Sequence, residues 1–217
     1  MERIIDLRLQ WYLESENLLV PQQAGFRQYY STEDQVTYLS QEIEDAFQEK
    51  NLVLAAWIDL KKAFDKVWKK GLLWKLRNCN VNGRLYNWIK SYLHSRRARV
   101  VMDGHNSQKV LLRHGVPQGG VLSPTLFLVF INDLVKELPY GIKAALYADD
   151  LVMWCTDEYA TVATQRLQRA ADILTSWTNK WCVSINTEKS STTLFTVSSK
   201  QKAGKIFINE ISLRMDN

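Results

Sequence analysis

Two aspartates stand side by side in "ALYADDLVMW", Asp149 and Asp150, with apolar and aromatic runs before and after them. A third, Asp59, closes another apolar run, "LVLAAWIDL". Adjacent like charges repel, and carboxylates on buried segments are costly unless something positive neutralises them. A hard cation held by oxygen ligands is the simplest such partner. An ordinary β-hairpin is the alternative, because aspartate favours turns and tolerates unusual dihedrals. If the strands carrying Asp59 and the Asp149–Asp150 pair are neighbours in one sheet, three carboxylates meet at one rim. That arrangement suits phosphoryl transfer by two metal ions roughly 3.5–4 Å apart, one activating the attacking oxygen and the other steadying the leaving group. Mg²⁺ would keep several waters and take oxygens from a substrate phosphate.

The elements that must position these groups follow from periodicity. Residues 2–18 read as an amphipathic helix with Ile5, Leu9, Tyr12 and Leu13 on one face, broken by "VPQQAGF". Ser31 or Thr32 caps a second helix with Val36, Leu39, Ile43 and Phe47 at helical spacing. A buried strand ends at Asp59, and a basic helix follows in "KKAFDKVWKKGLLWKLRN". A short helix, "YNWIKSYLHSRR", precedes a hairpin turning at Asp103–Gly104. A buried helix begins near Ser123 and Pro124, and the Asp-Asp hairpin comes next. A long helix then covers 157–181 with Val162, Leu167, Ala171, Leu174 and Trp177 on one side, and "STTLFTV" is a closing strand. This order predicts an α+β fold with a partly antiparallel sheet backed by helices.

Composition narrows the function classes. A chain of 217 residues with eight tryptophans can bury a substantial core. It has no long uncharged apolar run for a membrane span and no cleavable leader. Cys79, Cys155 and Cys182 are scattered singly and odd in number, which favours a reducing compartment over a disulfide framework and argues against a zinc site. The net charge of +5 is unevenly spread: acids dominate up to Lys50, whereas bases dominate from Lys61 to Arg113. In that basic stretch, Arg96, Arg97 and Arg99 lie among lysines and the aromatics Trp68, Trp74, Tyr86, Trp88 and Tyr92. Cations that track phosphates and rings that stack on bases would suit a nucleic acid. A solvated basic face with its aromatics turned inward is the competing reading.

The chain also resembles a known family. "AAWIDLKKAFDKVW", "HGVPQGGVLSPTLF" and "LYADD", in this order and at these separations, resemble the first three palm motifs of reverse transcriptases. They are most similar to those of non-LTR (LINE-type) retrotransposons, and "QQAGFRQYYSTEDQ" and "WCVSINTEKS" match the flanking blocks. The resemblance implies a right-hand polymerase palm with partial fingers and no thumb. Its bounds would be helical fingers at 1–50, a first palm part at 51–80, a fingers insertion at 81–113 and a second palm part at 114–217.

By this resemblance Asp59 and Asp149 are metal ligands, with Asp150 beside them and the Leu60 carbonyl as a further oxygen. Two Mg²⁺ are the implied cofactor, with Mn²⁺ as an alternative. Phe64 falls where an aromatic ring lies under the sugar, although core packing would also explain it. Gln118 and Gly119 would lie against the incoming nucleotide. Lys189 would protonate or neutralise the leaving pyrophosphate, or else be a solvated lysine. Arg27 would face a phosphate, with a structural ion pair as the alternative. The implied partners are an RNA or DNA template with its primer and deoxynucleoside triphosphates, in the nucleus or cytoplasm. The family's upstream Arg-Pro-Ile stretch, its downstream primer-gripping block and its thumb have no counterpart in this sequence. An inactive nucleic-acid-binding remnant, or a structural domain with an incidental acidic turn, are the readings that compete with a polymerase.

Overall fold

The computed structural model describes residues 1–216. In chain order the helices and strands are α1 (Glu2–Ser15), α2 (Thr32–Gln48), β1 (Leu52–Ile58), α3 (Ala63–Lys66), α4 (Lys69–Asn78) and α5 (Gly83–Leu93). Four two-residue strands follow: β2 (Arg97–Ala98), β3 (Val101–Met102), β4 (His105–Asn106) and β5 (Val110–Leu111). Then come α6 (Ser123–Ile131), β6 (Lys143–Tyr147), β7 (Asp150–Asp157), α7 (Ala160–Lys180), β8 (Ser191–Phe195), β9 (Phe207–Ile208), β10 (Ile211–Ser212) and β11 (Arg214–Asp216). The chain divides into two compact units, Met1–Leu18 with Lys62–Phe130, and Leu19–Lys61 with Ile131–Asn217. These cuts follow packing, whereas the bounds at 50, 80 and 113 follow motif blocks.

In the first unit, α1 buries Leu9 and Leu13, and Leu72, Leu76, Ile89, Leu93 and Phe127 complete its core. The basic segment after Asp59 is two short helices, α3 and α4, separated by Val67 and Trp68. The hairpin turns at Asp103–Gly104, where both residues have positive φ (50° and 77°), the backbone that a tight two-residue hairpin loop requires.

In the second unit, a five-stranded sheet has the order β11-β8-β1-β7-β6. Its pairings are antiparallel except β11 against β8, which is parallel. Helix α2 begins with a capping box, Ser31 accepting from the Asp34 N–H and Asp34 answering to the Ser31 N–H. Its Leu39 and Ala46 pack on Val53, Ala55, Ala145 and Trp154 on one face of the sheet. On the other face, the Cys155 thiol lies 3.4 Å from the Ala163 carbonyl of α7. Cover on both faces explains why Leu52 to Ala56 form a continuous apolar run instead of alternating with polar residues. Where the cover of α2 ends, Trp57 is 38% exposed.

Three expectations need correction. Val162 is exposed, and Ala163 takes its place among the buried positions of α7. Val36 is likewise exposed, because the core face of α2 runs through Leu39 and Ala46. The last strand is not β8: β9, β10 and β11 follow it, and β11 makes the sheet mixed. Among the described residues no helix is long and apolar enough to cross a membrane.

Candidate active site

Strands β1 and β7 are neighbours, with Ile58 opposite Leu151. Asp59, one residue beyond β1, therefore stands at the same sheet rim as Asp150, which opens β7 opposite Tyr147. Between Tyr147 and Asp150 the chain reverses through Ala148 and Asp149 alone. Ala148 adopts φ +57°, a left-handed conformation that costs an L-residue roughly 1–2 kcal/mol and so must be held from outside.

The holding comes from the segment before α2. Gln23 bridges to Leu146 as an extra parallel strand residue, and the Leu146 N–H donates to the Gln22 carbonyl at 2.8 Å. The buried Gln23 amide then reaches the turn itself. Its Oε1 accepts from the Ala148 N–H at 2.9 Å, and its Nε2 donates to the Ala148 carbonyl at 3.0 Å. Gly25 passes so close that a Cβ there would lie 2.2 Å from the Ala148 nitrogen. Neither Gln23 nor Gly25 was read from the sequence as a site residue. The signal that could have found them is the flanking block "QQAGFRQYYSTEDQ", which contains both residues.

Asp59 is fixed through its backbone. Its N–H donates to Ser190 Oγ at 3.1 Å and its carbonyl accepts from the Asn186 N–H at 2.8 Å. Leu60 and Ile185 form an antiparallel bridge, flanked by the Lys61 N–H donating to the Ser184 carbonyl at 2.8 Å. With the bonds carried by residues 59 and 61, Leu60 occupies a non-hydrogen-bonded position, so its own carbonyl turns away from the segment 184–186. The turn that holds Asp59 also carries Lys189. Asp59, Asp150 and Lys189 line one cavity of about 680 Å³, together with Trp57, Tyr147 and Val36. Trp57 is oriented by donating its indole N–H to Thr193 Oγ1 at 3.0 Å.

Burial pushes the Asp149 carboxyl above its ordinary pKa; its own backbone N–H opposes this, and the charges of Asp150 and Asp59 add to the rise. The three carboxylates therefore share an electrostatic field. Among the described residues, however, no three His, Cys, Asp or Glu side chains gather closely enough to hold an ion by themselves. The donor set is all hard oxygen, partly buried and in need of positive charge. That chemistry fits Mg²⁺.

The remaining sequence candidates have clear places. Arg27 donates to the Val20 and Gln23 carbonyls, both at 2.9 Å, and lies over the Tyr30 ring, so it braces the Gln23 segment. Phe64 is half-buried and stacks on Phe127 with ring centroids 4.5 Å apart. Gln118 and Gly119 are exposed at a turn closed by the Gly120 N–H on the Pro117 carbonyl, with Gly119 at φ +75°. Arg96 lies over Tyr92, whereas Arg97 and Arg99 are exposed. Phe64, Gln118, Gly119 and these three arginines belong to the first unit, and the carboxylates, Leu60, Lys189 and Arg27 to the second.

A mixed sheet with helices behind it and an acidic hairpin at its rim is the architecture of a polymerase palm. The chain belongs to the reverse transcriptase (RNA-dependent DNA polymerase) family, whose profile matches residues 1–207. It is 36% identical over 202 residues to the probable RNA-directed DNA polymerase from transposon BS of Drosophila melanogaster, covering 90% of this chain and 22% of that protein. It is 33% identical over 201 residues to the RNA-directed DNA polymerase from mobile element jockey of the same organism, with the same coverage of 90% and 22%. The chain thus spans about a fifth of the length of these relatives. Its fold is similar to that of apo telomerase from Candida tropicalis, with a TM-score of 0.70 at 12% identity, over 98% of this chain and 39% of that one.

Proposed function

We propose that this chain carries the nucleotidyl-transfer centre of an RNA-directed DNA polymerase. A primer 3′-hydroxyl would attack the α-phosphate of a deoxynucleoside triphosphate in line and release pyrophosphate. The observation that carries this reading is the convergence of Asp59, Asp149 and Asp150 at one rim, with burial and mutual repulsion raising the Asp149 pKa. Asp59, Asp149 and Asp150, with the Leu60 carbonyl, would hold two Mg²⁺. When bound, the ions would favour ionisation of the primer hydroxyl and offset charge on the leaving group.

The chain's own groups do the rest. The Gln23 amide fixes the backbone of the acidic turn, so the carboxylates are positioned before substrate arrives. Lys189, beside the same cavity as Asp59, offers an ammonium to the departing pyrophosphate as proton donor or counter-charge. Trp57 and Tyr147 give that cavity an aromatic wall against which a nucleoside can lie. The expected partners are a primed RNA or DNA template and deoxynucleoside triphosphates, met in the nucleus or cytoplasm.

The experiment is primer extension with Mg²⁺, comparing the wild type with Asp149→Asn plus Asp150→Asn. Incorporation by the wild type and none by the variant is expected. Equal incorporation by both would remove the carboxylates from the chemistry.

A further inference from the structure

The residues between α5 and α6 form a β-ribbon that stands in solvent on both faces: every residue from Arg97 to His114 is exposed. Two-stranded ribbons are marginal alone, and this one is fastened at its base by two cations. Lys69 donates to the Leu112 carbonyl at 2.6 Å, and Arg96 lies over the Tyr92 ring, 4.9 Å from its centroid.

Pairing sorts the side chains. Near the base Arg97 faces Leu111 and Ala98 faces Val110, whereas near the tip Val101 faces Asn106 and Met102 faces His105. The register shifts by one residue between these ladders, which marks a bulge within 107–109. Alternation then puts Arg97 and Arg99 on one face, and Ala98, Val100, Met102 and Val110 on the other. Lys109 lies in the bulge and Arg113 at the base of the return strand. Asp103 is the only acid between Arg96 and His114.

Ion pairing occupies some of the chain's cations and leaves others open to solvent. Lys143, Arg166, Lys180 and Arg214 each pair with a carboxylate, Glu42, Asp157, Glu137 and Asp216 respectively. Among the described residues, Arg97, Arg99, Lys109 and Arg113 have no carboxylate partner. Residues i and i+2 of a strand are about 6.8 Å apart, close to the axial advance of two nucleotides, at about 3.4 Å each.

We propose that the ribbon spanning 96–113 is a docking arm for the phosphate backbone of a nucleic-acid duplex. Arg97 and Arg99 form its contact pair, with Lys109 and Arg113 alongside. The choice of ligand class rests on the polymerase reading; the surface itself rests on charge and register. Arg96 is excluded from the contact set because its guanidinium is engaged at the ribbon's base.

The test measures fluorescence anisotropy of a labelled RNA–DNA hybrid with the full 217-residue chain, in EDTA, across a series of NaCl concentrations. Arg97→Gln plus Arg99→Gln should weaken binding about tenfold and flatten the log–log salt slope by about 1.5, since each phosphate contact contributes about 0.7–0.9. Val100→Ser plus Met102→Ser, on the opposite face, should keep both affinity and slope. An unchanged slope in the arginine variant overturns the proposal. So does a larger loss in the apolar variant, which would point to a protein partner. Because EDTA removes any need for the carboxylate site, the two readings fail separately. Arginine-dependent binding without primer extension overturns the polymerase reading and leaves the arm; extension with arginine-independent binding overturns the arm alone.

Discussion

The side-chain amide of Gln23 pairs with both backbone groups of Ala148, accepting from the N–H at 2.9 Å and donating to the carbonyl at 3.0 Å. It occupies the place of a neighbouring strand exactly where no strand reaches, and it holds a left-handed alanine next to Asp149. Gln23→Ala leaves three buried backbone groups without this partner, the N–H and carbonyl of Ala148 and the N–H of Gly25, at about 1–3 kcal/mol each. The variant should melt several degrees lower and lose most primer extension although every carboxylate is present. Gln23→Glu should do no better, because a carboxylate cannot donate to the Ala148 carbonyl. Thermal denaturation and extension rates check both; wild-type values in Gln23→Ala would mean that the turn needs no brace.

Gly25 and Gly119 make a contrast in how glycines serve one chain. A Cβ on Gly25 would meet the Ala148 nitrogen at 2.2 Å, so Gly25→Ala must displace the backbone of the acidic turn. At Gly119 nothing lies within 4 Å, and the obstacle is only φ +75°, roughly 1 kcal/mol for alanine. Gly25→Ala should therefore abolish extension and lower the melting temperature clearly. Gly119→Ala should lower stability slightly. Equal stability losses in the two would contradict the steric account.

Much of this was legible in the sequence because it depends on local pattern. The run up to Asp59 reads as a buried strand, Ser31 or Thr32 as a helix cap, and Asp103–Gly104 as a tight turn, and all three are present, with Ser31 as the cap. The Asp59 and Asp149–Asp150 rim was expected from apolar strands ending in carboxylates, and the pairing of β1 with β7 supplies it. What was not legible depends on partners distant in the chain. Gln23 and Ala148 are 125 positions apart, and a polar side chain that satisfies backbone groups leaves no periodic trace. Strand β11 is three residues long and joins the sheet only by pairing with β8. Val162 and Ala163 both fit a helical stripe, and a phase difference of one residue decides which is covered.

Asp6, in the first unit, gives a pH dependence of its own. It is buried under α6, accepting from Thr125 Oγ1 at 2.6 Å and from Gln10 Nε2 at 3.3 Å. Burial raises its pKa; the Thr125 hydroxyl opposes the rise and Glu2 adds to it. An acid with a raised pKa binds its proton more tightly when folded. Its contribution is therefore fully present below the ordinary carboxylate range and is lost as pH rises through the elevated value. Asp6→Asn should thus be more stable than wild type at neutral pH, with the difference vanishing in acid. Melting curves from pH 3 to 8 check this; a constant difference would show that Asp6 folds with its charge satisfied.

Cys155 offers a readout of the sheet's integrity. Burial pushes its thiol up to about 11, so little thiolate forms at neutral pH, and α7 covers it. Cys182 is exposed. Iodoacetamide at neutral pH should alkylate Cys182 readily and leave Cys155 intact until denaturant opens the fold, as peptide mass spectrometry would show. Early modification of Cys155 would mean that α7 lifts from the sheet in the native state.

The carboxylate rim predicts that ion binding and stability are coupled. Without a cation, ionised Asp149 is half-buried beside the charges of Asp150 and Asp59, which destabilises the folded state. Asp149→Asn removes that repulsion, so in EDTA the variant should melt above the wild type. Added Mg²⁺ should then raise the wild-type melting temperature, by an amount equivalent to about 2.7 kcal/mol when its concentration is a hundred times the dissociation constant. The variant should gain far less, because one ligand is gone and the field is weaker. The order of stabilities therefore narrows or reverses as Mg²⁺ is added. Scanning calorimetry of both proteins, in EDTA and in Mg²⁺, gives all four melting temperatures. Equal Mg²⁺ shifts in the two would place any bound ion away from Asp149, whatever the extension assay shows.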